Sequence, residues 1–170
     1  MRALQVLRAL QVLRVLRTLA VGVAALAVTG AAPGLPVHPD IPGPEADLAY
    51  HGSASMTGGR VDVRFTPRNH GPSAVPDATV RLRWSKPLAD AQTLPQGCAR
   101  SGERVVVCRT GALAADAVGE RIEVRVRLRD ASSEVLLELD TVWGGGAVDG
   151  NRANDQQRVL VLDTGDTYYF

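Results

Sequence analysis

Residues 121–129 read Arg-Ile-Glu-Val-Arg-Val-Arg-Leu-Arg. Ile122, Val124, Val126 and Leu128 fall on one parity. Arg121, Glu123, Arg125, Arg127 and Arg129 fall on the other. A period of two puts the apolar side chains on one face of an extended strand and the charges on the opposite face, whereas a helix needs a period near 3.6. The same alternation recurs in both directions. Val61, Val63 and Phe65 alternate with Asp62 and Arg64, and Val80, Leu82 and Trp84 alternate with Arg81 and Arg83. Val135, Leu137 and Leu139 alternate with Glu138 and Asp140, and Val159 and Val161 close the series. Residues 46–51 and 104–109 are weaker strand candidates.

Between these runs lie turn-forming clusters: Thr57-Gly58-Gly59, Asn69-His70-Gly71-Pro72-Ser73, Ser101-Gly102, Gly144-Gly145-Gly146 and Asp149-Gly150-Asn151. Short strands joined by short turns pair antiparallel, because parallel pairing needs long crossovers. No amphipathic helix follows the first 32 residues, so the apolar face of each strand is covered by a second sheet. The expectation is all-β: an immunoglobulin-like antiparallel β-sandwich of about seven strands over residues 46–163, preceded by an N-terminal signal helix. Trp84 shares the parity of Val80 and Leu82. Core packing is therefore expected for it, rather than a sugar-stacking pair with Trp143.

Residues 1–32 have a different composition. They carry no Asp or Glu, and their only charges are Arg2, Arg8, Arg14 and Arg17; Thr18–Ala32 carries no charge at all. A positive start, a short apolar run and small residues after it are the parts of a secretory signal peptide. The apolar run is shorter than the ~20 residues of a comfortable spanning helix, so contact with a membrane is expected only if this segment is retained uncleaved. Residues 33–45 hold five prolines and two glycines and read as a semi-stiff linker. The whole chain has 19 basic and 18 acidic residues. Without the four leader arginines the balance is 15 to 18, a net of −3. Such a balance gives no reason to expect a nucleic-acid partner. The expected location is outside the cell, with possible association to the cell surface.

Cys98 and Cys108 are the only cysteines. In an exported chain they are expected to be oxidised, with the Ser101-Gly102 turn bringing them together. Two cysteines with no nearby histidine do not make a zinc site.

The usual catalytic constellations are not found. His38, His51 and His70 are scattered, and no Gly-x-Ser-x-Gly elbow, His-Glu-x-x-His pair or phosphate loop occurs. Asp149, Asn151, Asn154 and Asp155 offer oxygens, but their spacing is not that of an EF-hand. Hydrogen bonding within the turn is the expected role. No catalytic residue, cofactor or metal is expected.

Two features remain as candidate contacts. One is an arginine face formed by Arg64, Arg121, Arg125, Arg127 and Arg129. The other is the aromatic end of residues 164–170, with Tyr168, Tyr169 and Phe170.

Four stretches in order carry a resemblance to a known family. They are Ala-Asp-Leu-Ala at 46–49, NHGPSAVPDATV at 69–80, the cysteine region GC…VVVC with GALAA at 97–115, and DGNRANDQQRVLV at 149–161. Together they resemble the bacterial domain of unknown function 11, also called the conserved repeat domain. Asp116 stands where that family commonly has glycine. The resemblance implies a secreted or surface β-sandwich with no established catalytic residues. The expected function is therefore a structural or adhesive role at or beyond the bacterial surface. The alternative is a binding module that recognises an anionic wall polymer, a polysaccharide or a protein partner through the arginine face or the aromatic end.

Overall fold

The computed structural model describes residues 43–170. The signal segment and nearly all of the proline-rich linker lie outside the described residues. In chain order the strands are β1 (Glu45–Ala46), β2 (Leu48–Thr57), β3 (Arg60–Asn69), β4 (Thr79–Trp84), β5 (Cys98–Arg100) and β6 (Val105–Arg109). They continue with β7 (Ala117–Val118), β8 (Ile122–Arg127), β9 (Glu134–Trp143), β10 (Val148–Asp149), β11 (Gln156–Leu162) and β12 (Thr167–Tyr169). Seven of these are five residues or longer. The described residues form an all-β sandwich.

One sheet runs β11-β9-β4-β6-β5. The other runs β12-β2-β3, with β8 and β7 both pairing with β3. Both sheets are antiparallel, and a short parallel pair, β1 with β10, lies beside them. The seam between the sheets is filled by the parity read from the sequence. Val61, Val63, Phe65, Val124 and Val126 from one sheet meet Val80, Leu82, Trp84, Val135, Leu137 and Leu139 from the other. Each such side chain contributes roughly 1.5–3 kcal/mol on full burial. Trp84 is fully buried, as its parity requires. Trp143 is 51% exposed. The register of β4 against β9 shifts so that Val80 faces Thr141 while Thr79 faces Trp143, a bulge that absorbs Val142 and turns Trp143 outward.

The β2–β3 hairpin closes on Gly58 and Gly59, with φ of 59° and 73°. Two left-handed residues make the turn whose twist matches the flanking strands. Cys98 and Cys108 stand opposite each other in β5 and β6 and are joined as a disulfide. In the chain-entropy picture, closing so short a loop stabilises by about 2–3 kcal/mol.

A second, smaller apolar cluster of Ala46, Leu48, Val75, Ala78 and Leu113 sits beside β1. Asn69, fully buried, organises it. Its amide donates to the Ser73 and Ala114 carbonyls at 2.8 and 3.1 Å. Its carbonyl oxygen accepts from Asp47 N at 3.3 Å and Gly71 N at 3.0 Å. Gly71 is pressed so closely on Ala46 that a Cβ would lie 2.5 Å from the Ala46 Cα. Asp116, at the end of the same loop region, has φ of 47°, the one positive value among the described non-glycine residues. That conformation is the one glycine adopts without penalty.

Residues 164–170 do not stand apart from the sandwich. Tyr168 and Tyr169 pair with Ala54 and Ser53 of β2, and Phe170 exchanges both backbone hydrogen bonds with Gly52. Tyr168 and Phe170 pack against the main core. Alternation then forces Tyr169 outward, where it is 81% exposed.

Candidate functional site

The solvent face of the β12-β2-β3-β8 sheet carries most of the residues singled out from the sequence. Cross-strand register arranges them in rows. Tyr169, Ser53, Arg64 and Glu123 form one row, and Thr167, Ser55, Asp62 and Arg125 the next. Thr57, Arg60 and Arg127 follow toward the hairpin. Residues directly opposite on antiparallel strands share a face, so each row crosses the sheet as a ridge of neighbouring side chains. Ser53, Ser55, Asp62, Arg64, Arg125, Thr167 and Tyr169 line an open hollow of about 360 Å³.

The acids on this face are already engaged. The Arg125 guanidinium donates to the Asp62 carboxylate, which raises the Arg125 pKa above its ordinary value. Arg64 lies 3.9 Å from Glu123, an exposed pair worth little in water. Arg60 and Arg127 have no acidic partner among the described residues.

The other candidates part company. Arg121 precedes β8 and lines a separate hollow with Pro95, Gln96 and Arg109. Arg129 leaves the face and pairs with Asp90 and Glu103 at 3.6 and 3.5 Å. Tyr168 and Phe170 turn to the core. Only Tyr169 of the aromatic end joins Arg64, Arg125 and Arg127. Sequence parity along β8 grouped all the arginines, because it does not show where the strand stops. Ser53, Ser55, Thr167 and Arg60 escaped notice. A short run of small polar residues carries no amphipathic signal.

A second concentration of polar residues lies around 149–155. The Asp149 carboxylate accepts from Leu48 N and from Asn151 N, both at 2.9 Å. The Asn154 amide donates to Asp47 at 2.7 Å. Tyr50 and Thr141 share a buried hydrogen bond, and burial pushes the Tyr50 hydroxyl pKa up. Asp155 is fully buried, with Arg152 Nε 3.3 Å away. Both of its carboxylate oxygens are buried without a hydrogen-bond partner among the described residues, and burial raises its pKa above the ordinary 3.8, only partly opposed by Arg152.

A raised folded-state pKa means the native state holds this proton more tightly than the unfolded chain. The stability contribution is greatest below the unfolded value, and it falls as pH rises from about 3.8 through the folded-state pKa. Asp155→Asn removes that titration. The stability of the native protein relative to Asp155→Asn should therefore decline as pH is raised from about 4 in urea unfolding. A difference that stays level as the pH rises would contradict the burial argument.

No protein-family model matches the chain, and no curated protein matches it. Among solved structures, the chain is similar to β-glucosidase 3B from Thermotoga neapolitana in complex with α-D-glucose, at 12% identity and a TM-score of 0.42. The match covers 74% of this chain and 17% of that one. Among the described residues no helix is long and apolar enough to cross a membrane. The disulfide is compatible with an oxidising, extracellular setting.

Proposed function

We propose that this is a secreted, non-enzymatic β-sandwich of the bacterial exterior, related to domain of unknown function 11, with an adhesive role. Its contact surface is the β12-β2-β3-β8 face, and its ligand is an anionic wall polymer or polysaccharide. One observation carries this reading. Tyr169 presents an exposed ring on the same face as Arg64 and Arg125, beside the hydroxyls of Ser53, Ser55 and Thr167. A flat ring packs on the apolar side of a sugar. Guanidinium groups bind its anionic substituents, and hydroxyls accept or donate to what remains.

Asp47, Ser73 and Ala114, each from a different family-like stretch, meet on the Asn69 side chain, which supports a structural role for these stretches. So does the left-handed backbone at Asp116, where the family commonly has glycine. This leaves the sheet face to the ligand.

Retention on a dextran sulfate resin in ~150 mM salt tests the proposal, because weak non-specific attraction is largely screened there. The full chain is expected to be retained. Tyr169→Ala combined with Arg125→Ser is expected to elute at clearly lower salt, and Arg83→Ser on the opposite sheet to behave as the native protein. Equal elution of all three would defeat the proposal.

A further inference from the structure

We propose that Arg60 and Arg127 form a subsite for one tetrahedral oxyanion with three terminal oxygens, a sulfate ester or a phosphate monoester carried on the polymer. The polymer rests on the function proposed above; the anion site does not.

Arg60 at the start of β3 stands directly opposite Arg127 at the end of β8. The backbone N–H and C=O of Arg127 turn away from β3. The N–H donates to the Gln92 side-chain oxygen at 2.9 Å, and the C=O accepts from the Gln92 amide at 2.8 Å and from Ala89 N at 2.9 Å. In an antiparallel ladder this marks a non-hydrogen-bonded pair, the closer of the two pair types, with Cβ atoms about 4.5–5.5 Å apart. Like charges directly opposite in that setting destabilise a sheet. Each of the neighbouring rows sets an arginine against an acid, Arg64 against Glu123 and Arg125 against Asp62. The Arg60–Arg127 row alone on this strand pair sets arginine against arginine.

The backbone around the pair is held firmly. Gly58-Gly59 closes the hairpin just before Arg60, and Leu128 N donates to the Gly59 carbonyl at 2.8 Å. Strand movement therefore does not part the two Cβ atoms. The two guanidinium groups open onto a hollow of about 450 Å³ that is also lined by Arg125, Gln92 and Thr93.

The chemistry selects the guest. A guanidinium presents two parallel N–H donors, which a carboxylate matches with its two oxygens. One fork takes the two inward-facing lone pairs of a carboxylate and leaves a second fork only the outward-facing pair on each oxygen, one N–H at a time. Three terminal oxygens on a tetrahedral centre accept both forks together and neutralise the repulsion between them. Arg60 lies four residues from Arg64 along β3, roughly 13 Å at 3.3 Å per residue. The anion is therefore held well apart from the Tyr169 ring, and a polymer that meets both must run diagonally across the sheet.

The test follows the arginine Nε–Hε signals of the full chain by ¹⁵N nuclear magnetic resonance. Inorganic phosphate, sulfate and acetate are added separately, with chloride holding the ionic strength constant. Phosphate and sulfate are expected to move Arg60 and Arg127 together along one saturable curve. Acetate is expected to move them little, and Arg104, which has no acidic partner among the described residues, not at all. Arg127→Gln should weaken the binding by roughly tenfold or more, the loss of one charge-assisted fork. The native protein should then be retained more strongly on dextran sulfate and dextran phosphate than on polygalacturonate.

If Arg104 follows the same curve, or Arg127→Gln binds as the native chain does, the subsite is refuted. Phosphate binding at the pair without retention of any polymer would overturn the function proposed above and leave the subsite standing. Retention that depends on Tyr169 and Arg125, with Arg60 and Arg127 unmoved by phosphate and sulfate, would do the reverse.

Discussion

Asn69→Ala is expected to destabilise the protein by roughly 3–5 kcal/mol, enough to lower its melting temperature by about 10–20 °C. The side chain makes four hydrogen bonds to backbone groups of four residues: Asp47, Gly71, Ser73 and Ala114. These belong to the β1–β2 connection, the turn after β3 and the loop before β7. Alanine leaves two donors and two acceptors without their partner beside a fully buried side-chain position, each costing about 1–3 kcal/mol where it stays dry. Local rearrangement and entering water reduce the sum, which is why the expected loss is below the simple total. Asn154→Ala is the natural comparison. Its amide reaches one partner, Asp47, so its loss should be near 1 kcal/mol. Urea unfolding of both variants decides the matter. Equal losses would show that the Asn69 hub does not hold this end of the sandwich.

Gly52→Ala is expected to cost about 3 kcal/mol or more and to release the C-terminal strand. A Cβ at this position would lie 2.2 Å from the Arg64 carbonyl oxygen, 2.8 Å from the Phe65 Cα and 2.9 Å from the Phe170 ring. The first two are backbone of the paired strand and cannot move aside without opening the β2–β3 ladder. The third is the ring that anchors the chain end, and Gly52 is also the residue that exchanges both backbone bonds with Phe170. Strain and loss of the anchor therefore fall on the same few residues. Chymotrypsin under native conditions should cut at Tyr168 or Tyr169 in the variant and spare the parent. Gly146→Ala provides the control. Its φ of 84° disfavours a side chain, but nothing lies within 4 Å, so its cost should stay near 1 kcal/mol. If Gly52→Ala proved as stable as the parent and equally resistant to protease, the close packing of β12 on β2 would be refuted.

These two positions also mark the limit of what periodicity reveals. The alternation in β3, β4, β8 and β9 was legible, because each of those strands buries one face and wets the other. The N-terminal half of β2 was a weak candidate. Its continuation through Gly52-Ser53-Ala54-Ser55 was not legible, because small residues carry almost no hydrophobic contrast. Yet β2 is ten residues long and joins β12 to β3 at the centre of its sheet. The candidate site was legible in part. Arg64, Arg125 and Arg127 could be grouped by parity, while Arg121 and Arg129 fall beyond the ends of β8 and go elsewhere.

Sequence alone settled the class of fold and the core faces of β3, β4, β8 and β9, because a period of two admits one buried side per strand and no amphipathic helix follows residue 46 to cover it. It also singled out the cysteine pair, since closing a short hairpin needs only local chain. It had no means of deciding that residues 164–170 return to pair with β2, or that Tyr169 therefore stands in the same face as Arg64. Nor did it show that Arg60 confronts Arg127. Those juxtapositions join residues far apart in the chain, and only strand order and register, which are tertiary quantities, bring them onto one surface.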